Sequence, residues 1–214
     1  MFKTIESLVF AAKEKGSLSE VIIAEEMKDS GMSYEWIWEQ MGRQLDVMMA
    51  SIERGRKGVM SKTGLTGGDA KKLYDYIEKG DMISDPTILT AVQNAMGTNE
   101  VNAAMGLICA TPTAGSAGVV PGVLSALIDK YQLSKKQQIE YLFVASGFGL
   151  VVANNASISG AMGGCQAEIG SASAMAAAAT VDVLGGTPEM AAHAFAMVIK
   201  NILGLVCDPV AGLV

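Results

Sequence analysis

Helix start and stop signals recur along the whole chain, and no segment of useful length alternates apolar with polar residues as a strand does. Ser17, with Glu20 three residues later, precedes an apolar run, and Gly31 follows it, which is the pattern of a capped helix. Two further starts combine a capping residue with a proline, at Asp85-Pro86 and Thr187-Pro188. Other polar residues that precede helix-like segments, and are predicted to cap them, are Ser33, Asp69 and Ser134. The chain is therefore predicted to be all-α, a compact multi-helix bundle with Gly-rich loops between its helices.

The charged side chains are unevenly distributed along the chain. Residues 1–100 hold 28 of them, whereas residues 101–214 hold 10. The first part therefore has the character of solvated amphipathic helices, and the second that of a buried core or of a surface covered by a partner. We predict charged N-terminal helices over residues 1–60 and a helical core over residues 61–214, together forming one compact unit.

Composition excludes several classes of protein. The net charge is -6 and no basic stripe is present to neutralise phosphates, so nucleic acid is not expected as a partner. The uncharged stretches 101–128 and 141–167 are interrupted by glycine, proline or polar residues, so we interpret them as buried core and expect no membrane span. Because the N-terminus has no apolar leader, a cytoplasmic location is expected.

A Gly-rich loop is predicted over residues 61–68, which read Ser-Lys-Thr-Gly-Leu-Thr-Gly-Gly. This segment is either a flexible linker or a loop that closes on a ligand through exposed backbone N–H groups. The residues that would serve the second role are Ser61, Gly64, Gly67 and Gly68.

A second loop, residues 111–118, lies between two apolar helical segments and combines hydroxyl groups with glycines. Together with the start of the following helix, it could present several donors to a carboxylate or a phosphate. The alternative is a buried loop whose hydroxyls satisfy its own backbone. The residues that would bind a ligand are Thr111, Thr113, Gly115 and Ser116.

Asn155, Ser157 and Ser159 form a third polar group within an otherwise apolar stretch. Burying such amides and hydroxyls without partners costs about 1–3 kcal/mol each. They therefore indicate either a fully hydrogen-bonded network or a hydrated pocket, and the residues alone leave both alternatives open.

Cys165 and Cys207 lie in uncharged, Gly-containing sequence. Each is either a small buried residue or a metal ligand. Cys109, in an apolar segment, and His193, the sole histidine, fit structural roles best. Because no Gly-x-Ser-x-Gly motif accompanies the histidine, a serine hydrolase triad is not indicated.

The sequence around these residues contains an ordered set of motifs. One reads Gly164-Cys165-Gln166-Ala167-Glu168-Ile169-Gly170, and another reads Cys207-Asp208-Pro209-Val210-Ala211-Gly212. With these motifs the chain resembles the α subunit, or catalytic α domain, of the iron–sulfur L-serine dehydratases. The resemblance covers roughly the C-terminal half, and the loop 61–68 also resembles a family loop. The matching segments are residues 99–106, 111–118, 155–160, 164–170 and 204–212.

The resemblance implies a [4Fe–4S] cluster held by three cysteines, of which Cys165 and Cys207 match the first two. The third family cysteine would follow beyond Val214, so we expect the cluster to be absent or incomplete in the chain as given. The family also implies L-serine as the substrate, a β subunit as the partner, and assembly into an oligomer.

The reaction implied by the resemblance is deamination of L-serine to pyruvate and ammonia, with an open iron assisting the loss of the hydroxyl. The loop 111–118 would hold the substrate carboxylate, whereas Asn155, Ser157 and Ser159 would hold the amino group or order the neighbouring side chains. The general base is not assigned, and Lys62 is one candidate for it. The alternative to an enzyme is a non-catalytic helical module that binds a small carboxylate or another anion.

Overall fold

The structure is a computed structural model, and it describes residues 2–204. Over these residues the regular structure consists of nine helices and one isolated bridge, between Met60 and Gly67, so the predicted all-α class is confirmed. None of the helices in this range has both the length and the apolar character needed to cross a membrane. The helices are α1 (Ile5–Lys15), α2 (Leu18–Ser30), α3 (Tyr34–Arg56), α4 (Asp69–Glu78), α5 (Pro86–Ala103), α6 (Val119–Tyr131), α7 (Lys135–Asn155), α8 (Gly160–Val183) and α9 (Pro188–Ile202).

Most of the predicted helix caps are confirmed. In each of these, the side-chain oxygen of the capping residue accepts a hydrogen bond from a backbone N–H two or three residues further on. Gly31 ends α2 in the left-handed conformation, with φ of 72°. The confirmed capping residues are Ser17, Ser33, Asp85 and Thr187.

The predicted cap of α4 is wrong. Asp69 is the first residue of this helix, and Gly68, which has no side chain to offer, occupies the cap position with φ of 85°. The carboxylate of Glu100 on α5 accepts hydrogen bonds from the N–H groups of Asp69 and Ala70 instead. The Asp69 carboxylate pairs with Lys72. A cap supplied by another helix leaves no signal in the local sequence.

The described residues divide into two units. The first joins residues 2–43 to residues 135–204, and the second is Gln44–Ser134, so that α3 contributes to both. This division differs from the boundary between residues 60 and 61 that the charge distribution suggests.

In the first unit, α8 packs against α7 and α9. Helices α1 and α2 pack against each other, α1 also contacts α9, and α2 also contacts α7. Small residues bring α7 and α8 close together, since a Cβ atom on Gly149 would lie 2.7 Å from the sulfur of Met175. The largest fully buried side chains of this unit are Leu8, Leu18, Ile23, Tyr141, Val144 and Phe148.

In the second unit, α5 packs against α4 and α6. The α5 and α6 backbones touch at Gly118, where a Cβ atom would lie 2.1 Å from the carbonyl oxygen of Ala95. The core of this unit contains several polar groups, because α5 buries four polar side chains. These are Gln93, Asn94, Thr98 and Glu100.

Candidate functional site

The loop over residues 61–68, in the second unit, is a hydrogen-bonded turn. The Ser61 N–H donates to the carbonyl oxygen of Thr66 at 2.8 Å, and the Thr66 N–H donates to the Ser61 hydroxyl at 3.1 Å. The Lys62 side chain is exposed. These bonds favour a defined loop over a flexible linker. Positive φ angles, which favour glycine, occur here at Gly64, Gly67 and Gly68.

The loop over residues 111–118, also in the second unit, is held by its own hydroxyl groups. The Ser116 side chain is fully buried and donates to the carbonyl oxygen of Thr111 at 2.9 Å. The Thr113 hydroxyl lies 3.2 Å from the Ser116 hydroxyl, and the Thr111 hydroxyl donates to the carbonyl oxygen of Ala117 at 3.4 Å. Gly115 is exposed at the tip. The hydroxyls therefore stabilise the loop in this state, and their role in binding a ligand stays a prediction.

Two asparagines of α5 fix this loop from outside. The Gly118 N–H donates to Oδ1 of Asn99 at 3.2 Å, and Nδ2 of Asn102 donates to the carbonyl oxygen of Ala114 at 3.0 Å. Because Asn99 and Asn102 are three residues apart on a helix, they lie on the same face. The last turn of α5 thus sets the position of the loop.

Glu100 lies between these asparagines in the sequence, and it contacts the segment directly after the other loop, 61–68. Its side chain is 5% exposed. Its Oε1 accepts from the N–H groups of Asp69 at 2.7 Å and Ala70 at 3.1 Å, directly after the loop 61–68. Its Oε2 is buried and has no hydrogen-bond partner among the described residues. One turn of α5 therefore contacts the segments that carry both predicted loops.

The polar group at the end of α7 lies in the first unit. Nδ2 of Asn155 donates to the carbonyl oxygens of Lys3 at 2.8 Å and Val151 at 2.7 Å. Ser159 occupies the cap position of α8, but its hydroxyl makes no capping hydrogen bond. Ser157 is exposed and lines a cavity of about 290 Å³. The Asn155 amide is thus part of a structural network, whereas Ser157 and Ser159 face less constrained surroundings.

Cys165 directly follows a break in α8. Gly164 has φ of 72° and ψ of 176°, values that interrupt the helix and that residues other than glycine rarely adopt. The helix resumes at Cys165, whose side chain is half-buried, and the flanking Gly163 and Gln166 line the same cavity as Ser157. Cys207 lies outside the described residues.

Cys109 and His193 lie apart from these segments. The Cys109 thiol donates to Oε1 of Gln44 at 2.8 Å, and burial raises the pKa of this thiol. His193 is exposed and lines a groove of about 500 Å³ between α1 and α9. The contacts of Cys109 agree with a structural role, as predicted from its apolar sequence.

Comparison with known proteins identifies the family. The model of the serine dehydratase alpha chain family matches residues 13–214. The chain is 60% identical over 215 residues to the probable L-serine dehydratase alpha chain of Bacillus subtilis, covering 100% of this chain and 72% of that protein. The chain belongs to the serine dehydratase alpha chain family. The predicted resemblance is therefore confirmed, and it extends well beyond the C-terminal half.

Two further relatives show how the family is built. The L-serine dehydratase alpha chain of Peptoniphilus asaccharolyticus is 41% identical over 216 residues, which are 100% of this chain and 74% of that protein. L-serine dehydratase 1 of Escherichia coli is 35% identical over 224 residues, which are 99% of this chain and 48% of that protein. The alpha chain sequence thus corresponds to a separate chain in some relatives and to about half of a longer chain in another.

One of the two cysteines that the family resemblance implies as metal ligands lies within the described residues. Within residues 2–204, no three His, Cys, Asp or Glu side chains are grouped closely enough to hold a metal ion. Cys165 is a half-buried thiol beside a glycine break and a cavity, and its role as a ligand stays a prediction. Cys207 lies outside the described range.

Glu100 was not among the site residues predicted from the sequence, although its segment helped to carry the resemblance. A signal for it exists, because Glu100 is the only charged residue between Asp85 and Asp129. A lone carboxylate in so long an apolar stretch indicates a buried group with a specific partner. What the sequence cannot indicate is which backbone groups that carboxylate contacts.

Proposed function

We propose that this chain is the α subunit of an iron–sulfur L-serine dehydratase, which converts L-serine to pyruvate and ammonia with a β subunit as partner. The observation that carries the proposal is the match of the alpha chain family over residues 13–214. It is supported by alignment of the whole chain with alpha chains that bear this name.

Cys165 and Cys207 are proposed as two of three ligands to a [4Fe–4S] cluster, with the third cysteine beyond Val214. When bound, such a cluster supplies an open iron that acts as a Lewis acid on the substrate hydroxyl. The break at Gly164 supports this role for Cys165, because it exposes the N-terminal end of a helical segment next to a cavity. Backbone N–H groups at such an end stabilise negative charge on a thiolate.

L-serine needs hydrogen-bond donors for its carboxylate. We assign this carboxylate to the loop that contains Thr111, Thr113, Gly115 and Ser116, held in place by Asn99 and Asn102. In the first unit, Asn155 orders the segment that carries Ser157 and Ser159 through its bonds to Lys3 and Val151.

The elimination removes a proton from Cα and hydroxide from Cβ, so that water and 2-aminoacrylate are formed. The enamine takes up a proton at Cβ to give an imine, which water hydrolyses to pyruvate and ammonia. A base must accept the Cα proton. Lys62, on the exposed loop 61–68, is the candidate carried forward from the sequence.

The test is anaerobic reconstitution with iron and sulfide of the chain, extended through the third cysteine and assembled with its β subunit. We expect a brown, air-sensitive protein that forms pyruvate from L-serine. Cys165→Ser is expected to lose bound iron and activity together, because serine is a poor ligand for iron–sulfur clusters.

The matched control is Cys109→Ser, since a serine hydroxyl can keep the hydrogen bond to Gln44. This variant is expected to retain both iron and activity. Loss of iron in Cys109→Ser with retention in Cys165→Ser would reverse the ligand assignment. A fully loaded wild-type assembly that produces no pyruvate would refute the proposed function.

A further inference from the structure

The buried carboxylate of Glu100 uses only half of its hydrogen-bonding capacity. Its Oε1 accepts from two backbone N–H groups at the start of α4, from Asp69 and Ala70. Its Oε2 is buried and accepts from no group among residues 2–204. A buried carboxylate oxygen without a donor is unfavourable, because that oxygen has lost its hydrogen bonds to water and has no replacement for them.

A structural role accounts for Oε1 of Glu100 but leaves its buried Oε2 unexplained. Two N–H groups at a helix start are satisfied by a neutral hydroxyl or amide oxygen, as in the ordinary capping residues Ser and Asn. Glu100 supplies a second oxygen as well, although its side chain is only 5% exposed. The nearby Lys72 makes no hydrogen bond to this oxygen, because its ammonium group is exposed and pairs with Asp69.

The position of Glu100 in α5 indicates what the second oxygen is for. Its neighbours Asn99 and Asn102 hold the loop 111–118, to which we assign the substrate carboxylate. An amino acid places an ammonium group directly beside its carboxylate, so a complementary site needs an acceptor close to its donors. The unused Oε2 of Glu100 is an acceptor on the same turn of α5 as these two asparagines.

An ammonium group also suits a single carboxylate better than a metal ion does. A hard cation such as Mg²⁺ or Ca²⁺ takes about six or more oxygen ligands, and Mg²⁺ keeps several water molecules among them. Within residues 2–204, no group of three or more His, Cys, Asp or Glu side chains that could hold a metal ion includes Glu100, and the neighbouring Asp69 carboxylate is paired with Lys72. An ammonium donates three hydrogen bonds and can share them between one carboxylate and neutral carbonyl groups.

We propose that Glu100 is a substrate-binding residue whose Oε2 accepts a hydrogen bond from the α-ammonium group of the amino acid, while Oε1 fixes the start of α4. This assignment rests on the proposed function, because it takes an amino acid as the ligand. It also explains why one helical turn supports both Gly-rich loops.

The test is a calorimetric titration of the assembled holoenzyme with L-alanine and with propionate. These two compounds differ in the α-ammonium group, and neither carries a hydroxyl that can be eliminated. We expect wild-type protein to bind L-alanine at least about tenfold more tightly than propionate, as a charge-assisted hydrogen bond requires. Glu100→Gln is expected to weaken L-alanine binding by about tenfold or more and to leave propionate binding within about twofold.

The control variant is Glu78→Gln, which removes an exposed carboxylate from the far end of α4. It is expected to change neither titration. The wild type alone can overturn the proposal, if it binds the two compounds equally or binds neither. The proposal therefore remains testable even if the Glu100→Gln protein fails to fold. A parallel weakening of both compounds in Glu100→Gln also overturns it, since that result would mean that Glu100 acts only by holding the loops.

These titrations can fail or succeed independently of the proposed dehydratase activity. If L-alanine binding depends on Glu100 but L-serine yields no pyruvate, the dehydratase proposal fails and the ammonium site stands. If L-serine yields pyruvate and Glu100→Gln binds L-alanine normally, the ammonium site alone is refuted.

Discussion

At the scale of single residues, Gly164 constrains the proposed ligand Cys165 most directly. Its φ of 72° and ψ of 176° lie in a region of backbone conformation that residues other than glycine rarely adopt. Gly164→Ala is therefore expected to lower the free energy of unfolding by about 1–3 kcal/mol, measured by urea denaturation. The matched control is Gly170→Ala in the same helix, where a Cβ would meet Ile202 at an ordinary 3.6 Å.

Equal stability of the Gly164→Ala variant and the wild type would show that the break in α8 carries no strain for a larger residue. In that case the position of Cys165 would not depend on glycine. The glycines around this cysteine are evident in the sequence, but the interruption of the helix there is not. Such a break depends on how two helical segments pack, and runs of small residues are compatible with a continuous helix as well.

At the scale of secondary structure elements, the contact between α5 and α6 allows a direct test. A Cβ on Gly118 would overlap the carbonyl oxygen of Ala95, and backbone cannot move aside as a side chain can. Gly118→Ala is expected to lower the free energy of unfolding by about 1–3 kcal/mol through overpacking. Chemical denaturation monitored by circular dichroism measures this change.

Gly42→Ala serves as the control for that substitution. Its added Cβ would lie 3.7 Å from Ile139, a normal contact, within the helix α3. We expect no loss of stability, and a gain of up to about 1 kcal/mol from helix propensity. A Gly118→Ala protein as stable as Gly42→Ala would contradict the close packing of α5 on α6.

The caps of the helices illustrate what can be predicted from sequence at this scale. Ser17 and Thr187 cap helices through bonds to residues three positions away, so local sequence is enough to find them. The start of α4 is different, because its acceptor is Glu100 on another helix. The loops were identified from their glycine and hydroxyl content, and the ligand role of the cysteines from family resemblance. The two units, in contrast, depend on contacts that no local pattern reports.

At the scale of the whole molecule, global stability is expected to depend on pH through Asp182. Burial, with a smaller effect from the charge of Glu140, raises the pKa of Asp182 from 3.8 to about 6. Between these values the folded protein binds more protons than the unfolded chain, so stability decreases as the pH rises from 3.8 to about 6 and then stays level.

Asp182→Asn removes this penalty, because the amide is neutral at every pH. The free energy of unfolding of the variant is expected to exceed that of the wild type by about 1–2 kcal/mol at pH 8, allowing for partial exposure of the carboxylate. Below pH 4 the two free energies are expected to be equal. Urea denaturation at the two pH values measures the difference. The exposed Asp81→Asn serves as the control, and a gain in Asp182→Asn that is equal at both pH values would contradict the assignment to this group.

The two units also have a consequence for how the chain is made. Because the first unit joins residues 2–43 to residues 135–204, its opening helices leave the ribosome long before α7, α8 and α9 exist. Residues 44–134 can assemble in the meantime, whereas Leu8 and Ile23, both fully buried in the finished protein, still lack part of their packing surface. During synthesis, α1 and α2 therefore wait for packing partners that α7 and α9 supply only after the whole second unit has been translated.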